Sequence, residues 1–158
     1  MSAPDVVLAL APNWLGDGVM ALPALADLRR HHPSARLVVA GRPSVAALFD
    51  MVPGVDEVLT LSWRGSLWRT AQANADVRAI RDTRADVAVL FPNSFASAWL
   101  AWRAGIRERW GYSRDRRSWL LTRAVPRPNP AVHQGRYYQG LVAAAGIPIG
   151  ALEPVVVP

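Results

Sequence analysis

The sequence predicts an α/β protein, a Rossmann-like doubly wound parallel sheet, and three observations carry that prediction. Short continuous apolar runs, Val6-Val7-Leu8-Ala9-Leu10-Ala11 and Val87-Ala88-Val89-Leu90-Phe91, suit strands buried on both faces. Between such runs lie longer stretches whose apolar residues recur at helical spacing. Strands alternating with helices imply a parallel sheet covered on both sides, because right-handed crossovers carry each helix onto a face.

The elements follow in order. Residues 6–11 form the first strand, and a turn at 12–18 leads into a helix with Met20, Leu22, Leu25 and Leu28 inward. His31-His32-Pro33 ends that helix, since proline disfavours helix in the residue before it. Residues 37–40 read as the second strand, 45–49 as a short helix, Pro53-Gly54 as a turn and 58–61 as the third strand. A helix over 67–84 points Ala71, Ala75 and Ile80 inward, and the buried strand 87–91 precedes a helix over 94–103. A short strand is expected around 109–112, whereas 113–130, with three prolines and several arginines, reads as irregular. A helix over 137–145 stops at Gly146, and Val155-Val156-Val157 begins a strand or a linker.

The 158 residues are enough for one domain with its own core, and 51% apolar against 19% charged residues exclude a disordered chain. There is no cysteine, which excludes a disulfide scaffold, a thiolate zinc site and a cysteine nucleophile, and fits a reducing cytosol. The start lacks a basic region ahead of its apolar run, and the stretch from Leu141 to Leu152 is broken by glycines and Pro148. A soluble, cytoplasmic protein is expected.

Net charge is +6, and all 18 basic residues are arginine. Arginine grips phosphate and carboxylate with two parallel hydrogen bonds, so an acidic partner is expected: nucleic acid, an anionic membrane surface or a phosphorylated glycan. A nucleic-acid module would want a basic stripe on one element, but the arginines are dispersed. A dinucleotide-binding dehydrogenase would want an acid after the second strand, where Gly41-Arg42 stands.

Ligands in such sheets bind at the carboxyl ends of the strands. The first loop there is Asn13-Trp14-Leu15-Gly16-Asp17-Gly18, with glycines on both sides of the carboxylate. On spacing alone, Asp17 as a helix cap is the stronger reading and a ligand-facing carboxylate the weaker. Trp63-Arg64 follows the third strand and offers sugar-binding chemistry. Asn93 and Ser94 open a helix as caps or as ligand contacts, and Trp99 and Trp102, at helical spacing, read as packing. Arg114, Arg116, Arg117, Arg123 and Arg127 cluster with Trp119 and Tyr112, and His133 sits in a proline-rich connection.

The segment from Ala11 to Leu25, with Asn13-Trp14-Leu15-Gly16-Asp17-Gly18 at its centre, resembles the opening of glycosyltransferase family 9, the ADP-heptose:lipopolysaccharide heptosyltransferases. Further matches are Pro92-Asn93-Ser94-Phe95, Ala104-Gly105-Ile106, Trp110-Gly111-Tyr112, Arg117-Ser118-Trp119-Leu120-Leu121 and His133 with Arg136-Tyr137, all in family order. The first two forms resemble the heptosyltransferase II branch.

The resemblance implies the two-domain GT-B arrangement, with residues 1–158 as its amino-terminal, acceptor-binding domain. Residues from about 150 to 158 would begin the linker to a carboxyl-terminal, ADP-heptose-binding domain that this chain lacks. The apolar ending reads as a cut, and the chain alone is expected to be inactive. The implied reaction is inverting transfer of heptose to the acidic, phosphorylated inner core of lipopolysaccharide, at the inner face of the cytoplasmic membrane with peripheral contact at most. Asp17 becomes the base that takes the acceptor hydroxyl's proton, its negative charge favoured by the helix terminus. Asn13, Trp14, Gly16, Gly18, Arg64, Asn93, Ser94, Arg117 and His133 become acceptor contacts. No Asp-x-Asp metal motif occurs, so no metal and no cofactor are expected. The alternative is a Rossmann-like ligand- or nucleic-acid-binding module without transferase activity.

Overall fold

The computed structural model describes residues 2–65 and 70–158. Six parallel strands lie in the order β3-β2-β1-β4-β5-β6. In chain order they are β1 (Val6–Leu10), β2 (Arg36–Gly41), β3 (Glu57–Thr60), β4 (Val87–Leu90), β5 (Glu108–Tyr112) and β6 (Arg123–Val125). The helices are α1 (Leu15–His31), α2 (Pro43–Phe49), α3 (Thr70–Asp82), α4 (Phe95–Arg103) and α5 (Gln134–Ala143), with a short 3-10 turn at Ser118–Leu120. This is the Rossmann-like, doubly wound fold.

Alternation along the strands divides the interior in two. Val7, Ala9, Leu37, Val39, Val87 and Val89 face α1, α2 and α5. Leu8, Leu10, Val38, Ala40, Ala88 and Leu90 face α3, α4 and the 3-10 turn. All twelve are buried, which is why these strands read as unbroken apolar runs.

Several boundaries differ from the sequence reading. Helix α1 begins at Leu15, so the turn is shorter than expected and Asp17 already lies in the first helical turn. Ala21, Leu22, Ala24, Leu25 and Leu28 form its buried stripe, while Met20 turns outward at 39% exposure. Pro23 sits inside the helix, where the missing N–H forgoes one intrahelical bond. Helix α3 buries Ala73, Asp76, Val77 and Ile80, leaving Ala71 and Ala75 exposed; residues 67–69 of the expected helix lie outside the described residues. Asp76 explains the rotation, because its carboxylate accepts from the Ser62 and Trp63 N–H groups and the Ser62 hydroxyl. The stretch expected to be irregular holds the 3-10 turn and the edge strand β6. Helix α5 starts three residues before Tyr137, and Val155–157 form no strand, although the Val157 N–H donates to the Met51 carbonyl at 2.7 Å.

Candidate functional site

Because all strands run the same way, the loops after β1, β2, β3, β4 and β5 gather along one edge. The order reverses between β1 and β4, where crevices open in such sheets. On the α3/α4 side of that edge lies a cavity of about 540 Å³, within the range of small-molecule sites. Leu10, Ala40 and Leu61 form its floor and Ala73 and Leu100 its helical walls. Asn13, Arg42, Arg64, Ser94 and Arg103 bring polar groups to it, and Trp63, Trp99 and Phe95 bring rings.

The cavity is electropositive. Arg42 and Arg64 make no ion pair among the described residues. The Arg103 guanidinium lies 4.9 Å from the Trp99 ring centroid, and Trp99 meets Trp63 at 5.1 Å. The one carboxylate among the described lining residues, Asp115, accepts the Phe95 N–H at 2.7 Å and so serves the start of α4. Stacked rings beside unpaired guanidinium groups are suited to a sugar carrying acidic substituents.

Asp17 stands outside this lining, on the α1 side of the same edge. It is half-buried, open to solvent, and its carboxylate has no hydrogen bond or ion pair among the described residues. The residue in the cap position of α1 is Trp14, which makes no side-chain cap bond. Asp17 therefore does not cap the helix as spacing alone favoured. The group it influences is the buried Tyr138 phenol on α5. Burial first, and then the Asp17 charge, push that phenol up to about 12 against a Gln134 hydrogen bond. The nearby Tyr112 phenol is likewise raised to about 12 by burial and donates to the Tyr137 carbonyl.

The structure divides the remaining expected contacts. Asn13, Arg64 and Ser94 line the cavity, and Ser94 also caps α4, its hydroxyl accepting from the Ser97 N–H. Trp14, 76% exposed, and the exposed Gly16 lie outside the lining. Asn93 also lies outside it, its amide donating to the Tyr137 hydroxyl at 2.7 Å while its buried Oδ1 has no partner among the described residues. Gly18 is buried, and a β-carbon there would sit 3.3 Å from Leu48, so its smallness serves packing of α1 on α2. The exposed His133 caps α5, with Nδ1 accepting from the Gly135 N–H at 3.1 Å.

Arg117 corrects the sequence reading most sharply, since it has no exposed surface and cannot touch an acceptor directly. Its Nε donates to the Tyr112 carbonyl, and its Nη1 to the Pro92 and Ser94 carbonyls and the Ser97 hydroxyl. Burial lowers its pKa to about 10. Arg117 thus ties the loop after β5 to the loop after β4 from beneath. Trp102, read as packing, is 45% exposed.

Arg42, Phe95, Trp99 and Arg103 were not foreseen as cavity residues. Two signals were present: Arg42 directly follows a buried strand, and Trp99 and Arg103 stand four apart on one helical face.

The model of glycosyltransferase family 9 (heptosyltransferase) matches residues 75–156. Lipopolysaccharide heptosyltransferase 2 of Escherichia coli (strain K12) is 28% identical over 115 residues, 73% of this chain and 33% of that protein. Lipooligosaccharide heptosyltransferase 2 of Haemophilus ducreyi is 27% identical over 115 residues, with the same 73% and 33% coverage. The matched stretch thus spans about a third of these curated relatives. Among solved structures, the glycosyl transferase family 9 protein from Veillonella parvula superposes with a TM-score of 0.81 at 17% identity, covering 91% of this chain and 42% of that one. E. coli ADP-heptose lipopolysaccharide heptosyltransferase II gives 0.79 at 24% identity, covering 96% and 46%. These two likenesses are likenesses of fold.

Proposed function

The chain belongs to glycosyltransferase family 9, and from that premise we propose that it is the acceptor-side, amino-terminal domain of an inverting heptosyltransferase of GT-B architecture. The donor is ADP-heptose, bound by a second domain, and the acceptor is the phosphorylated inner core of lipopolysaccharide. The single observation that carries the reading is the Asp17 carboxylate, unpaired among the described residues and solvent-accessible in the first turn after β1, at the sheet edge that also holds a basic, aromatic cavity.

In this reading the acceptor's acidic groups rest among Arg42, Arg64 and Arg103, and its rings lie against Trp63 and Trp99. The reacting hydroxyl reaches over the Asn13–Trp14 crest to Asp17. As the hydroxyl oxygen bonds to the anomeric carbon, the bond to the ADP oxygen breaks on the opposite face and Asp17 takes the proton. Holding both sugars in line supplies much of the rate. Departure of ADP without a metal is part of the proposal, and chelator treatment of the protein joined to its donor domain tests it.

Asp17→Asn in the protein joined to its donor domain tests this. Transfer is expected to fall about 10²–10⁴-fold, with acceptor affinity unchanged and activity insensitive to chelator. Full turnover by the variant removes Asp17 from the mechanism.

A further inference from the structure

Beside the cavity, an exposed aromatic cluster takes no part in the transfer reading. Phe95 and Trp102, seven residues apart on α4, share one helical face. Trp119, on the 3-10 turn, meets both, with ring centroids at 6.2 and 6.3 Å. The three remain 37%, 45% and 69% exposed, so the rings touch one another and still face water. Contiguous exposed apolar surface marks a place of interaction.

The surroundings of the cluster say with what. Exposed Arg114 and Arg116, which lead the chain into the 3-10 turn that carries Trp119, make no ion pair among the described residues. Between residues 95 and 119 the chain carries six arginines against two carboxylates. One of those two, Asp115, is engaged at the Phe95 N–H, and the other, Glu108, accepts from the Trp110 indole at 3.1 Å.

We propose that this face docks on an anionic lipid bilayer, with the three rings at headgroup level and the arginines on lipid phosphates. Indole suits that boundary because it pairs a broad apolar body with one N–H donor. Cationic residues beside it add attraction to anionic headgroups. A second copy of the chain fits the face less well, since a two-fold contact would press the same arginines together. Phe95 links the surface to the site, lining the cavity on one side and packing on Trp119 on the other. Docking therefore brings the cavity mouth to the bilayer, where a lipid-linked acceptor resides. The lipid contact itself stands apart from sugar transfer and is measured without it.

The experiment is flotation of the chain with vesicles of phosphatidylglycerol and phosphatidylcholine, against vesicles of phosphatidylcholine alone. Binding to the anionic vesicles is expected, weaker by about tenfold on the neutral ones and reduced by salt. The double variant W102S/W119S should lose binding about tenfold while keeping its far-ultraviolet circular dichroism, as neither side chain belongs to the buried core. R114Q/R116Q should bind several-fold less, and W14S, altered at an exposed tryptophan on another loop, should bind like the parent. No binding to anionic vesicles, equal binding by W102S/W119S, or an equal loss in W14S overturns the proposal. Self-association that W119S abolishes would assign the face to a second copy and overturn it too.

Discussion

Two of the buried charges in this domain, Asp27 and Arg117, are satisfied in different ways. Asp27 on α1 is 1% exposed and has every need met. It pairs with Arg30 and accepts from the Gln139 amide and the Gly150 N–H, both at 2.9 Å. Arg117 is completely buried, forms no ion pair among the described residues although the Asp115 charge acts on it, and leaves Nη2 without a hydrogen-bond partner among them. The loop that delivers it is strained, with Asp115 and Arg116 both in the left-handed region at φ 57° and 54°. The first charge fastens the segment after α5 to α1 and α5. The second fastens two loops of the candidate site to each other. Left-handed backbone and an orphaned donor thus meet at one buried charge on the edge proposed to do the chemistry, whereas Asp27 is fully paired. The opposite edge carries its own instances, at Arg84 with φ 57° and at the His32 Nε2, away from any buried charge.

The sharpest test of this contrast is Arg117→Ala. It strips donors from three carbonyls and the Ser97 hydroxyl, so urea unfolding should show a loss of about 3–4 kcal/mol. A loss below about 1 kcal/mol would mean that the cost of burying the guanidinium cancels its bonds.

Asp27→Ala should cost less, about 2–3 kcal/mol, because Arg30 is free to turn to water and the Gln139 amide still donates to the Gly150 carbonyl. Amide exchange at Gly150 should quicken in this variant while Ser97 stays protected. Equal quickening at both would show that the two anchors are not independent.

The mildest test is alkaline. Tyr112 and Tyr138 both titrate near 12 in the folded chain, above their ordinary value of 10, so unfolded phenols ionise first. Their contribution to stability is complete below pH 10 and falls away between about pH 10 and 12. Arg117, lowered to about 10, works the other way over much of that range, since the unfolded chain keeps a proton that the folded one sheds. Two phenols against one guanidinium leave a net loss, checked by unfolding at successive pH values and by phenolate absorbance. Tyrosine absorbance rising fully near pH 10 without unfolding would contradict the burial of both rings.

The same contrast explains why one charged cluster was misread. Arg114, Arg116 and Arg117 are neighbours in an arginine-rich stretch, and nothing local separates the two that are exposed from the one that is sealed. The difference arises where Pro92, Ser94 and Ser97, some twenty residues away, turn their acceptors toward a single guanidinium.

What the sequence determined by itself is whatever short-range periodicity encodes. The apolar runs at residues 6–10 and 87–90 prescribe buried strands, the helical spacing of Leu22, Leu25 and Leu28 prescribes α1, and alternation of the two prescribes a parallel layered sheet. The place of the first loop belongs to the same class, because strand, turn and helix are contiguous there, whereas spacing alone favoured Asp17 as a cap and only the folded loop leaves it uncapped. Tertiary structure alone decided the rest. The three-residue edge strand β6 has no periodic signature and exists only through pairing with β5. The cavity draws Asn13, Arg42, Arg64, Arg103 and Asp115 from five separate loops and helix ends. Charge and chemistry are visible residue by residue, but burial is set by which distant segments close over a side chain, and that information lies in the packing of the sheet.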